Sequence, residues 1–352
     1  MKPLPYLTWP SILEHMDPLV RLQLVRSSQD MKTAEKRLPI RIDYLHLDRN
    51  CININGIKYE FLVTNYTLSI HSANGDLLKR ERVRGGMSRR EAIQYLYRKL
   101  FGRNPVAVNV KNLVIDVDTS RRDIYWPIDL KLNVYNLKVT KMSGRDIVNP
   151  KKNRGLSVGM EDHDMPSAGY GAWNLTNFFE YLRGFVTSTS LNTLEIAEAI
   201  KLVKCPEIKT ARKLIINGEP ARLLRLKNVR VHVKGGFYSW QQAKELIEKW
   251  RSSSYEGGRH YSVAIRKQKD VIGLMEEIER LPTARETKIE DKRHTSSKCI
   301  TLPMGGFKKL NVYYLIIENE KRAADTSYEI HFEIDDGDYA TPVYNGVFGP
   351  FN

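Results

Sequence analysis

Two spacings of apolar residues alternate along this 352-residue chain, steps of three and four that mark helices and steps of two that mark strands. The clearest helical stretch covers residues 88–102. Ser88 and Glu91 form a capping box there, Ile93, Leu96, Tyr97, Leu100 and Phe101 share one face, and Gly102 supplies the C-cap. A second capping box, Ser239 with Gln242, opens a helix that aligns Ala243, Leu246, Ile247 and Trp250. Leu175, Phe178, Phe179 and Leu182 predict a third helix, and Val271, Leu274, Met275 and Ile278 a fourth. Near the N-terminus Asp17 can cap a helix whose first residue is Pro18. Its apolar set, Leu19, Val20, Leu22, Leu24 and Val25, is too wide for one buried stripe, so this helix needs two partners. One is the Ile12, Leu13 and Met16 side of the preceding helix; the other is the rest of the chain or another protein.

From about residue 40 the period shortens. Ile40, Ile42, Tyr44 and Leu47 lead into a stretch where Asn55-Gly56 signals a two-residue hairpin, and Asn74-Gly75 marks another turn, so an antiparallel element is expected. A degenerate repeat follows in residues 110–116, 134–140, 191–197, 211–217 and 226–232, each with an apolar-x-apolar strand core and most with an LxxL-like lead. This is the strand half of a leucine-rich-repeat unit. Its central residues, Leu113, Leu137, Leu194, Leu214 and Val229, are separated by 24, 57, 20 and 15 positions, which fits an open curved sheet with helices on its convex side better than a regular solenoid. Residues 309–319 and 327–335 read as a closing strand pair. The expected fold class is α/β (α+β): a short helical N-terminus over 1–40, a β-hairpin connecting segment over 41–86, an irregular leucine-rich-repeat-like sheet with helices over 87–336, and a tail over 337–352.

Composition narrows the function classes. At 41% apolar and 28% charged the chain is globular, which excludes disorder, collagen-like repeats and a coiled-coil rod. Cys51, Cys205 and Cys299 are scattered and odd in number, so neither a disulfide framework nor a CxxC metal knuckle is expected. No stretch has the length of a membrane span, and Pro3, Pro5 and Pro10 break any signal-peptide core, so a soluble protein of the cytoplasm, the nucleus or both is expected. The eight histidines show no helical metal-pair spacing. His163, in the acidic run Glu161-Asp162-His163-Asp164 of a glycine-rich stretch, reads as a solvated loop. Gly155, Gly159, Gly169 and Gly171 match no phosphate-binding or dinucleotide motif, and no GxSxG elbow is present. No catalytic residue, metal site or cofactor is expected.

The net charge of +15 is uneven. Residues 79–103 carry nine bases against two acids, 138–154 six against one, and 201–234 ten against two, whereas 318–338 carry eight acids against two bases. The basic stretches lack a nucleic-acid-binding motif, which makes specific nucleic-acid recognition the weaker expectation. A basic face for an acidic partner protein is the stronger one.

The order Leu4-Pro5, Ile12-Leu13, Met16, Asp17-Pro18, Leu19, Leu22 and Val25, followed by Leu38-Pro39, resembles an F-box. The chain departs from it at Val25-Arg26-Ser27-Ser28, which runs on without the usual tryptophan. Residues 35–48, 52–61, 87–105, 110–117, 130–140, 239–250 and 328–334 are similar to the segment that follows the F-box in the large nematode-specific family of F-box proteins, so the resemblance covers nearly the whole chain. It implies a non-catalytic substrate receptor of a Skp-cullin-F-box ubiquitin ligase. Leu4, Pro5, Ile12, Leu13, Met16, Pro18, Leu19, Leu22 and Val25 would dock the Skp adaptor, and the C-terminal domain would capture a target. On this resemblance Leu19, Leu22 and Val25 face the adaptor while Val20 and Leu24 pack inward, or the reverse. The alternative is a scaffold or weakly nucleic-acid-associated protein that uses its basic face without joining a ligase.

Overall fold

The structure, a computed structural model, describes residues 12, 13, 16, 20, 21, 24, 29, 33, 38–48, 51–62, 66–83, 87–101, 108–118, 130–142, 175–188, 190–196, 205–217, 226–234, 239–252, 256–265, 267–287, 298–317 and 327–336. The chain divides into two compact units, Met1–Ala197 with Cys205–Glu207, and Glu198–Lys204 with Ile208–Asn352.

The first unit holds β1 (Arg41–Leu47), β2 (Cys51–Ile54), β3 (Ile57–Leu62), β4 (Thr67–His71), β5 (Leu77–Arg82), α1 (Arg89–Phe101), β6 (Val108–Asp118), β7 (Leu132–Met142), α2 (Leu175–Phe185) and β8 (Thr193–Ile196). Its strands lie in the order β8-β7-β6-β1-β2-β3-β4-β5, parallel from β8 to β1 and antiparallel from β1 to β5. The β2–β3 turn works because Asn55 (φ 49°) and Gly56 (φ 89°) both take left-handed conformations, as a type I′ hairpin requires. A Cβ on Gly56 would also stand 3.0 Å from the Ala73 Cβ, so the position is fixed by space as well as by torsion. In α1 the capping box forms as the sequence predicts. The Ser88 backbone N–H donates to Glu91 at 2.8 Å, and the Glu91 N–H donates to the Ser88 hydroxyl at 3.3 Å. Ala92, Ile93, Leu96, Tyr97, Leu100 and Phe101 are buried, and Lys99 reaches Glu81 of β5 at 2.8 Å.

The helix α3 (Pro206–Thr210) spans the division between the units. The second unit continues with β9 (Lys213–Asn217), β10 (Arg230–Lys234), α4 (Trp240–Ser252), β11 (His260–Ile265), α5 (Gln268–Glu279), β12 (Arg285–Thr287), β13 (Cys299–Pro303), β14 (Lys309–Ile317) and β15 (Ser327–Asp335). Here the order is β9-β10-β11-β15-β14-β13-β12, parallel up to β11 and antiparallel beyond it. Trp250 of α4 meets Tyr261 of β11 edge-on at 6.1 Å, and Tyr261 meets Phe332 of β15 in the same way, which places α4 on the apolar face of these strands. Val271, Leu274, Met275 and Ile278 of α5 are buried as expected.

A single motif, apolar-x-x-Leu-x-apolar, builds most of the parallel strands. Its instances are Ile42/Leu45/Leu47, Val110/Leu113/Ile115, Val134/Leu137/Val139, Leu191/Leu194/Ile196 and Ala211/Leu214/Ile216, all buried. Leu45, Leu113, Leu137 and Leu194 pair across β1, β6, β7 and β8. The two residues between the first and second apolar positions remain at the surface, so each strand shows a pair of side chains such as Asp43-Tyr44 or Tyr135-Asn136.

The observed architecture corrects the expected α/β class. Among the described residues there are fifteen strands and five helices, so the fold is predominantly β. Only isolated positions of the N-terminal forty residues are described before residue 38, and a helical F-box-like module is not shown. The antiparallel element expected within 41–86 is present as β1 to β5, and β1 in addition carries the same apolar motif as β6 and pairs with it in parallel. The C-terminal pair is part of a larger antiparallel set that includes β12 and β13, and β15 inserts between β11 and β14. In β10 the repeat is shifted by two residues. Val231, not Val229, pairs with Leu214, and Val229 is 46% exposed. The leading buried slot is taken by Asn228, whose amide donates to the carbonyls of Ile208 at 2.5 Å and Ala211 at 2.7 Å. The glycine-rich stretch with His163 and the tail 337–352 lie outside the described residues.

Candidate functional site

Of the residues expected to dock an adaptor, Leu4, Pro5, Pro18, Leu19, Leu22 and Val25 lie outside the described residues. Leu13 is fully buried and gathers Met16, Leu24 and Leu38 around it, while Ile12 is half-buried. Val20 is half exposed. Leu24 therefore packs inward and Val20 does not, a split that the sequence left open only as a pair. The segment is held by Arg21, itself 2% exposed. Its guanidinium donates to the carbonyls of Leu38 and Pro39, both at 3.0 Å, and of Leu13 at 3.4 Å. A planar fork that reaches three carbonyls ties the N-terminal residues to the chain leading into β1.

The second candidate surface is the face of the first unit's parallel strands opposite their apolar motif. Tyr44, Asn112, Asn136 and Thr193 share one register row, and His46, Val114, Lys138 and Glu195 share the next. An amide ladder crosses the strands. The Asn112 amide donates to the Asp43 carbonyl at 3.0 Å, Asn136 to Asn112 at 2.9 Å, and Asn192 to Asn136 at 3.2 Å. His46 donates to Asp116 at 2.8 Å, the Thr140 hydroxyl donates to the same carboxylate, and Lys138 pairs with Glu195 at 3.0 Å. The hydrogen bond to Asp116 raises the pKa of His46 against the opposing effect of burial. Burial alone would raise Asp116, but the hydrogen bonds from His46 and Thr140 outweigh it and hold the carboxyl below its ordinary range. Tyr44 and Tyr135 are exposed among these fixed polar groups, the arrangement of aromatic anchors and ordered hydrogen-bonding partners that protein interfaces use.

The third surface is the equivalent face of the second unit. Lys213, Arg230, His260, Glu333 and Asn311 share a row, as do Ile215, His232, Ser262, His331 and Tyr313. His260 Nε2 and His331 Nδ1 are 2.8 Å apart, so one ring donates to the other. The His331 ring stacks between His260 at 5.0 Å and Tyr313 at 4.9 Å. His232 Nδ1 lies 2.8 Å from the Ser262 hydroxyl, and Glu329 stands 3.8 Å from His232 and 3.6 Å from His331. The sequence scattered these histidines 28 and 71 positions apart. Only the strand register brings them together, since each falls on an outward position of its strand. Once the motif register is known, the outward placement of His232 is legible from Val231-x-Val233.

Among the described residues this network shows no hydrolytic arrangement. Ser262 is 5% exposed, and the backbone N–H groups around it belong to sheet ladders, which leaves no donor pair for an oxyanion. Among the described residues no group of three or more histidine, cysteine or acidic side chains converges as metal ligands. Cys51, Cys205 and Cys299 are buried thiols outside any disulfide, and burial pushes the Cys51 thiol up to about 12. No helix among the described residues is long and apolar enough to cross a membrane.

A family model described as a domain of unknown function, DUF3557, matches residues 173–267, just over a quarter of the chain. That stretch runs from α2 through β8, α3, β9, β10 and α4 to β11, so it takes in the basic and histidine-bearing strands β9 to β11. No curated protein and no solved structure matches the chain.

Proposed function

We propose that this chain is a non-catalytic substrate-recognition subunit of a Skp-cullin-F-box ubiquitin ligase, working in the cytoplasm, the nucleus or both. Its N-terminal residues dock a Skp-type adaptor, and the outward face of its parallel strands captures a target protein with an acidic surface. The observation that carries this reading is the strand face itself. Tyr44 and Tyr135 stand exposed on strands whose neighbouring side chains are fixed by the Asn112–Asn136–Asn192 ladder. A surface ordered in advance loses little side-chain freedom when a partner binds. The Arg21 clasp adds a mechanical reason for an N-terminal dock. It joins Leu13 to the chain leading into β1, so an adaptor bound at the N-terminal residues would hold a captured target near the transfer machinery, raising the effective concentration of its lysines.

Co-expression with a Skp-type adaptor tests the reading. Wild type should co-purify, and Leu19→Arg or Leu22→Arg should not, with the melting temperature within a few degrees of wild type. An adaptor of this kind needs roughly 800 Å² of complementary surface with a few central anchors, so one buried charge suffices to remove it. If wild type fails to co-purify, or if both variants co-purify as well as wild type does, the proposal is wrong.

A further inference from the structure

The two strand faces differ in charge. In the first unit the outward residues mix signs, with Asp43, Asp116 and Glu195 set against Lys111 and Lys138. In the second unit β9 and β10 present Arg212, Lys213, Arg230 and Lys234, all exposed, and the segments 211–217 and 226–234 contain no acid. His260 extends this basic area onto the neighbouring strand, and His232 lies within it. Among the described residues of these strands, carboxylates stand on the β15 side, where Glu333 sits opposite His260 and Glu329 reaches His232 and His331.

Resting on the receptor reading above, we propose that the β9–β10–β11 face of the second unit binds a carboxylate-rich segment of the target protein, and that His232 and His260 make this binding stronger as the pH falls. The occupant follows from charge. A second copy docked face to face would set the same basic rows against each other, whereas glutamate or aspartate side chains on an extended segment can reach Lys213 and Arg230, which share a row, and Lys234, four residues further along β10.

The pH dependence follows from the hydrogen bonds. In register, His260 lies beside Arg230 of β10 and Glu333 of β15 and bonds His331 of β15; His232 lies beside Ile215 of β9 and Ser262 of β11, with Glu329 of β15 at 3.8 Å and Lys213 two residues before Ile215 on β9. The His260–His331 bond needs one ring nitrogen without a proton, so the bonded pair holds at most one added charge. Histidine titrates within the physiological range, and each proton taken up on this face adds a positive charge beside a bound carboxylate. Reciprocally, a bound acidic segment favours protonation of the rings.

The test uses the full chain and a fluorescent polyglutamate peptide, read by anisotropy. The peptide stays ionised across the range used, because glutamate titrates well below it. Affinity should rise about fivefold between about pH 7.5 and about pH 5.8, the effect of roughly one added charge about 4 Å away with water-like screening. His232→Gln with His260→Gln should flatten that response; if the double variant fails to fold, each single variant should at least halve it. Lys213→Glu with Arg230→Glu, at exposed positions, should weaken binding about tenfold at both pH values. The proposal is overturned if charge reversal leaves the affinity unchanged, if the histidine variants keep the full pH response, or if a single-stranded RNA binds more tightly than the peptide at the same salt. Adaptor co-purification is scored separately. Peptide binding without adaptor capture would end the ligase reading alone, and adaptor capture without peptide binding would end this one alone.

Discussion

Removing the guanidinium of Arg21 tests whether the N-terminal residues are mechanically part of the first unit. Arg21→Ala takes away two hydrogen bonds of 3.0 Å and one of 3.4 Å from carbonyls, at a side chain 2% exposed. Hydrogen bonds to a charged group contribute about 1.5–3 kcal/mol each, with the longest at the bottom of that range or below it. Taking an arginine out of water has its own cost, which truncation returns. A net loss of about 3 kcal/mol is the consistent figure. If the first unit unfolds in one step, its melting temperature falls by roughly 6–12 °C. If the segment opens locally, residues 38–40 become about a hundredfold more accessible to proteases and hydrogen exchange while the melt barely moves. Both outcomes are read from one sample by calorimetry and by exchange at Asn109, whose N–H donates to the Ile40 carbonyl at 2.8 Å. Arg21→Lys keeps the charge without the fork and should recover less than half of the loss. A melting temperature within 1 °C of wild type, together with unchanged exchange at Asn109, would refute the clasp.

Two further predictions concern side chains fixed by hydrogen bonding. His46 has a raised pKa, so its contribution is complete below the ordinary histidine value and is lost as pH rises through the raised one. Asp116 has a lowered pKa, so its contribution is present above the ordinary carboxylate value and is lost as pH falls through the lowered one. The pair is thus fully in force between those limits. Asp116→Asn should cost about 1 kcal/mol near pH 6 and flatten the pH profile of urea unfolding; a variant whose profile tracks wild type would rule the linkage out. In the second unit, Asn228→Leu restores the apolar residue that the motif calls for but strands the carbonyls of Ile208 and Ala211. It should destabilise by about 2 kcal/mol, no less than Asn228→Ala does, and a leucine variant more stable than wild type would contradict this.

What could be read from the sequence depended on how local its cause was. Capping boxes and the Asn55-Gly56 turn are decided within four residues, and both form as written. The repeat was legible as strands because apolar-x-x-Leu-x-apolar is a local pattern, yet its register in β10 was not. Val229 looks like the leucine position until Asn228 is seen to occupy a buried slot through bonds to residues 17 and 20 positions earlier. Pairing is still less local. Nothing in β1 announces that it lies beside β6, sixty-odd residues away, although both carry the same motif, and the insertion of β15 between β11 and β14 is set by which edges remain to be covered. The same distinction applies to function. A helical metal pair or a nucleophile elbow would have been visible as spacing, whereas His232, His260 and His331 meet only because two parallel strands and one antiparallel strand place them in adjacent rows. A sheet face collects its chemistry from residues that spacing keeps apart. In a chain of this kind a search for surface chemistry must therefore begin from strand register, because the outward positions of each motif can change without disturbing the core.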